Sequence, residues 1–142
     1  RHMTERSRQP RGPFLLPPGA AWEGFAFPGA CVSLLVIPRL PFAYPDALKE
    51  KEREEYASLR QFIQNVAVPE MQIKLRQGFG RAIRTESDTC VIAILDERAG
   101  RGRRYNKAML DALPEMRTTS SLRAVTKFLR ELKPESYFEV CA

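Results

Sequence analysis

Two nearly continuous apolar runs constrain the fold of this chain most: Cys31-Val32-Ser33-Leu34-Leu35-Val36-Ile37 and Cys90-Val91-Ile92-Ala93-Ile94-Leu95-Asp96. Neither alternates polar and apolar residues, as a strand with one wet face does. Each therefore reads as a strand buried on both faces, the kind found in parallel sheets covered by helices. The fold class expected is α/β. Phe14-Leu15-Leu16, ended by Pro17-Pro18-Gly19, is a third candidate strand.

Between the two runs the chain is helical in pattern. Pro38, Pro41 and Pro45 force an extended connection as far as Asp46. Asp46 then suits the cap of a long helix running to about Asn65. Leu48, Tyr56, Leu59, Phe62, Ile63 and Val66 would form its apolar stripe, and the charges from Lys49 to Glu55 a solvated face. A break is expected near Ala67, and Pro69 and Glu70 make a good first turn for the next helix.

That next helix carries the most informative spacing. Gln77, Arg81 and Arg84 fall at i, i+4 and i+7 and form a polar stripe, with Met71, Leu75, Phe79 and Ala82 roughly opposite. Gly78 and Gly80 flank the stripe, and each costs a helix interior about 1 kcal/mol relative to alanine. Two readings stay open: a solvated basic face, or a face that something approaches closely.

After a polar turn from Thr85 to Thr89, the second apolar run ends at Asp96. This is the carboxyl end of a strand, where open α/β sheets bind ligands. Asp96 and Arg98 suit either a ligand contact or an ion pair closing a loop. Gly100-Arg101-Gly102-Arg103-Arg104 is a flexible basic loop, suited to phosphates or to plain solvation. A short helix stopped before Pro114 should follow. A last helix should be capped by Thr119 or Ser120, with Leu122, Val125, Leu129 and Leu132 on one face and Pro134 beyond its end.

The 142 residues suffice for one domain, and no apolar run is long enough to span a bilayer. The net charge of +6 favours polyanionic partners. Cys31, Cys90 and Cys141 are odd in number and far apart, which argues for buried thiols in a reducing, cytoplasmic setting and against a disulfide framework or a metal site. His2, beside Met3 in what reads as a vector remnant, leaves no histidine for catalysis. Residues 1–13 read as a flexible basic tail.

Gln77-Gly78-Phe79-Gly80-Arg81-Ala82-Ile83-Arg84 resembles motif VI of superfamily 2 helicases, Q-x-x-G-R-x-x-R, in the form found in the DinG and XPD branch. Ala20-Ala21-Trp22-Glu23-Gly24-Phe25-Ala26-Phe27-Pro28-Gly29 resembles motif V of the same family, roughly S-F-W-E-G-x-D-x-P-G. Ala20 and Ala26 stand where that pattern has a serine and an aspartate. Leu40-Pro41-Phe42 with Pro45, Asp96 with Arg98, and Tyr105-Asn106-Lys107 with Asp111-Ala112-Leu113-Pro114 are similar to further passages, although Asn106 replaces a glycine.

The resemblance implies a partial RecA-like domain over residues 14–116, a mostly parallel sheet flanked by helices, followed by a helix and tail at 117–142. It implies that Arg81 and Arg84 act on the terminal phosphates of ATP, with Gln77, Gly80, Glu23 and Gly24 lining the nucleotide. Arg101, Arg103 and Arg104 are the candidates for nucleic-acid contact. ATP and Mg²⁺ would be the cofactors of a complete parent, and its first RecA-like domain and single-stranded or forked DNA the partners. The setting implied is DNA repair or recombination.

No G-x-x-x-x-G-K-S/T and no strand-borne acidic pair for a metal occur in the sequence. The expectation is therefore half an ATP site, inactive alone and binding no cofactor, with an open sheet edge suited to self-association. A second class remains open: a non-catalytic basic adaptor for nucleic acid or protein, descended from a helicase domain, which Ala20 and Ala26 favour.

Overall fold

The computed structural model describes residues 33–83, 85 and 88–133. The expected strand at Phe14–Leu16, the Ala20–Gly29 passage, Cys31, Arg84 and Cys141 lie outside the described residues. The elements are β1 (Leu34–Ile37), α1 (Ala47–Glu54), α2 (Leu59–Phe62), a π-helical segment (Ile63–Ala67), α3 (Val68–Ala82), β2 (Val91–Ile94), a 3-10 turn (Glu97–Ala99), α4 (Asn106–Asp111) and α5 (Leu122–Leu132). Contacts divide the described residues into two compact units, 33–36 with those of 80–93 and 115–133, and 37–79 with 94–114.

β1 and β2 form a two-stranded sheet. Val91 N–H donates to the Ser33 carbonyl and Leu95 N–H to the Ile37 carbonyl, both at 2.9 Å. Both strands advance together between these bonds, so the pairing is parallel. The expected α/β class with a parallel sheet and flanking helices is what the chain forms. The strands are shorter and wetter than their apolar runs suggest. Leu35 and Ile37 are buried, Leu34 is exposed, and all four residues of β2 are half-buried. Among the described residues the sheet has only two strands, which leaves less of each one covered.

In the second unit, the helix expected from Asp46 to Asn65 is divided. Asp46 caps α1, its Oδ1 accepting from Lys49 N–H at 2.8 Å. The helix ends at Glu54, and Ser58 starts another, its Oγ accepting from Gln61 N–H at 3.2 Å. Serine competes with helix continuation by offering its hydroxyl to the amide three residues ahead. Leu48 and Leu59 are consequently exposed rather than part of a buried stripe, and Val66 alone of the six expected residues is buried.

The expected break near Ala67 is absent. A π-helical turn carries the chain from α2 into α3, with Val68 N–H donating back five residues to the Ile63 carbonyl. The cause is Pro69, which has no N–H to donate and whose ring would crowd the carbonyl four residues back. One wider turn absorbs both faults without ending the helix. Glu70, in the first turn of α3, accepts from Lys49 Nζ, which also reaches Glu52 at 2.8 Å.

Met71 and Leu75 on α3 are fully buried. Gly78 is buried as well, on their side of the helix rather than flanking the polar stripe. Two side chains tie α3 to α4: Gln72 Nε2 donates to the Ala108 carbonyl at 2.8 Å and Arg76 Nε to the Ala112 carbonyl at 3.3 Å. Both carbonyls lie at the end of α4, where intrahelical donors run out.

In the first unit, Cys90 is half-buried, and burial pushes its thiol up to about 11, so it stays protonated at neutral pH. α5 is capped by Ser121 rather than by the expected Thr119 or Ser120, with Oγ accepting from Ala124 N–H. No residue of α5 is buried; Leu122, Phe128 and Leu132 are exposed, while Val125 and Leu129 are half-buried.

Candidate functional site

Gln77 and Arg81 of the expected polar stripe stand near the end of α3. Gln77 and Gly80 are both exposed, and a Cβ at Gly80 would meet nothing within 4 Å. Gly80 is thus not required by packing among the described residues, and its lack of a side chain leaves the helix backbone open on that side. Arg81 occupies the last turn of α3; Arg84, Glu23 and Gly24 lie outside the described residues.

The second candidate region, at the end of β2, is built in detail. Asp96 is buried, its side chain 5% exposed, beside an Arg98 side chain that is 46% exposed. The carboxylate accepts hydrogen bonds from Leu40, 56 residues away in the chain, and from the backbone and guanidinium of Arg98. Oδ2 takes Leu40 N–H at 2.9 Å and Arg98 Nη2 at 2.7 Å, while Oδ1 takes Arg98 N–H at 3.0 Å and Arg98 Nε at 2.9 Å. This two-donor fork is the geometry a guanidinium offers a carboxylate and an ammonium does not. The guanidinium beside Asp96 holds its carboxyl well below the usual carboxylate range, partly offset by burial, with the Leu40 and Arg98 amides adding to the lowering. Of the two readings open in the sequence, this is the ion pair closing a loop.

Aromatic rings complete the clamp. Arg98 Cζ lies 5.3 Å from the Phe42 ring centroid and 5.8 Å from that of Tyr105, and the two rings stand 4.8 Å apart. The quadrupoles of both rings favour the cation within reach of the pair. Phe42 and Tyr105 carried no assigned role in the sequence; their signal was only their place in passages that resemble the family. Tyr105 N–H donates back to the Arg98 carbonyl at 3.0 Å, and Asn106 Nδ2 to the Ala99 carbonyl at 2.8 Å. The segment between is the basic loop. Arg101, Arg103 and Arg104 are all exposed on it, Arg104 with Cζ 5.2 Å from the Tyr105 ring. Gly102, at φ +74°, holds a left-handed backbone that a side chain would strain.

Among the described residues no group of three or more histidine, cysteine or carboxylate side chains could hold a metal, and no helix is long and apolar enough to cross a membrane.

ATP-dependent DNA helicase YoaA of Haemophilus influenzae is 37% identical over 111 residues, covering 77% of this chain and 17% of that protein. ATP-dependent DNA helicase DinG of Photobacterium profundum is 35% identical over 122 residues, 80% of this chain and 17% of the relative. The 3'-5' exonuclease DinG of Bacillus subtilis is 40% identical over 98 residues, 66% of this chain and 10% of the relative. The chain thus spans a small part of the length of these relatives. No solved structure gives a significant match. The helicase C-terminal domain family matches residues 4–116, a stretch that takes in both strands, the α3 stripe and the clamped basic loop, and the chain belongs to that family.

Proposed function

We propose that this chain is the C-terminal motor portion of an ATP-dependent DNA helicase of DinG type. Its motif VI helix would supply Arg81 and Arg84 to the terminal phosphates of ATP, with Gln77 and Gly80 beside them and Glu23 and Gly24 contributing from the motif V passage. Part of the nucleic-acid surface would be the loop bearing Arg101, Arg103 and Arg104. ATP and Mg²⁺ would bind only between this domain and a first RecA-like domain. The observation that carries the reading is the intact Q-x-x-G-R-x-x-R sequence from Gln77 to Arg84, with Gln77 and Gly80 exposed near the end of α3.

Phosphate transfer needs little covalent help from protein; it needs charge held in place. Guanidinium groups that never lose their proton suit that task. A P-loop and an acidic metal-binding pair are not in this sequence, so the isolated chain is expected to show no ATP turnover and only weak nucleotide affinity. A malachite-green phosphate assay with nucleotide-binding calorimetry checks this. Turnover abolished by Arg84→Ala in a clean preparation would overturn the half-site reading.

DNA binding by the chain should be mainly electrostatic, with little sequence preference. If three arginines meet the backbone of a single strand, log K should fall with log salt at a slope of about −2. Titration of unrelated oligonucleotides at several salt concentrations measures both properties, and salt-insensitive binding would contradict the assignment.

A further inference from the structure

We infer that the Asp96–Arg98 fork, Tyr105 and Asn106 are positioning residues that hold Arg101, Arg103 and Arg104 in a preformed loop for the phosphate backbone of single-stranded DNA. The inference rests on the reading of that loop as a nucleic-acid contact. Its own content is the mechanism: the loop meets its ligand already shaped.

The loop's two ends are joined twice. Arg98 takes Tyr105 N–H on its carbonyl at 3.0 Å, and Ala99 takes Asn106 Nδ2 on its carbonyl at 2.8 Å. Inside the loop, Arg103 N–H donates to the Gly100 carbonyl at 2.9 Å and Asn106 N–H to the Arg103 carbonyl at 3.2 Å. Gly102 supplies the one left-handed residue that this tight path requires. Below it, Asp96 anchors Arg98, and Arg98 stacks with the Tyr105 ring.

Charge is divided cleanly. Arg98 is paired with buried Asp96, so its cation is committed to the base of the loop. Arg101, Arg103 and Arg104 make no ion pair with a carboxylate among the described residues. Glu97 is the exposed carboxylate nearest in sequence, on the 3-10 turn before the loop. Three cations on one short closed segment suit a polyanion with closely repeated charges. Fixing the backbone beforehand removes ordering entropy that a free loop would lose on binding.

Asn106 is the informative probe. It stands where the resembling pattern has glycine, and its side-chain amide donates to the Ala99 carbonyl, which a glycine there could not do. Arg98 and Asp96 also support the fold, whereas Asn106 is half-buried at the start of α4, so Asn106→Ala should leave the domain intact.

The test measures binding of fluorescein-labelled oligo(dT) to the full 142-residue chain across a salt series, with amide exchange followed at Arg103 and Tyr105. Arg101→Ala and Arg103→Ala should each reduce the salt slope by about 0.7, the share of one phosphate contact on a single strand. Asn106→Ala should weaken binding about 3- to 10-fold, the effect of one lost hydrogen bond, with an unchanged slope and faster exchange at both amides. Unchanged affinity or unchanged exchange in Asn106→Ala, while the arginine variants behave as stated, overturns the positioning role alone. A reduced slope in Asn106→Ala would make Asn106 a phosphate contact and overturn it too. If Arg101→Ala and Arg103→Ala alter neither affinity nor slope, the loop is no nucleic-acid contact and the reading beneath the inference fails.

Discussion

Replacing Arg81 or Arg84 by alanine in the complete helicase proposed above is expected to lower ATP turnover by at least about 100-fold and to change DNA affinity little. Arginines supplied to a transferring phosphoryl group contribute roughly 10³–10⁵ in rate in GTPases, so this is a lower bound for one member of a pair. Lysine should not rescue either position, because a point charge cannot reproduce a planar two-donor contact. Arg101→Ala and Arg103→Ala should do the reverse, weakening DNA binding modestly and leaving basal turnover alone. Steady-state ATPase kinetics beside DNA-binding isotherms separate the two classes. Normal turnover in Arg84→Ala with lost DNA affinity would make the Gln77–Arg84 stretch a nucleic-acid face and favour the adaptor reading. Gly80 supplies a gentler check: an added methyl meets nothing within 4 Å among the described residues, so loss of turnover in Gly80→Ala with unchanged stability would point to a ligand against the helix backbone.

The second large effect concerns stability. Arg98→Ala leaves the Asp96 carboxylate buried without its cation, and breaking one side of a fully buried pair costs about 3–5 kcal/mol. Here about 2–3 kcal/mol is expected, because the Arg98 side chain is 46% exposed and Asp96 keeps the Leu40 and Arg98 amides. Urea denaturation should show this as a lower midpoint at unchanged slope. The pH dependence has a definite sign. Asp96 holds a lowered pKa when folded, so its contribution is complete above the ordinary unfolded value of about 3.9 and is lost as pH falls through the folded value. Stability from this pair should therefore be flat between about pH 5 and pH 8 and decline below about pH 4. Asp96→Asn should be less stable at neutral pH and lack that part of the acid decline. An acid limb identical to that of the parent sequence would show the pair contributes nothing.

Local pattern determined much of this protein. The two apolar runs announced parallel strands, Asp46 announced its cap, and the spacing of Met71, Leu75 and Ala82 marked the buried side of α3. These features depend on residues near one another in the chain, where periodicity and hydrogen-bonding type suffice. The motif at Gln77–Arg84 was likewise legible, because its residue types and spacing are themselves the signal.

What the sequence left open was decided by partners far apart in the chain. Whether Asp96 binds a ligand or closes a loop depends on Leu40, which lies 56 residues away and donates to it. The stacking of Arg98 depends on Phe42, brought to Tyr105 only by folding. Gly78 read as part of a ligand-facing surface because glycine has no apolar signature, although it shares the buried side with Met71 and Leu75. At Pro69, two local rules competed: proline suits a helix start, but a π turn lets the helix run through it. Strand burial was overestimated for a related reason. An apolar run reports what a strand can tolerate, while only the neighbouring elements determine how much of it they cover.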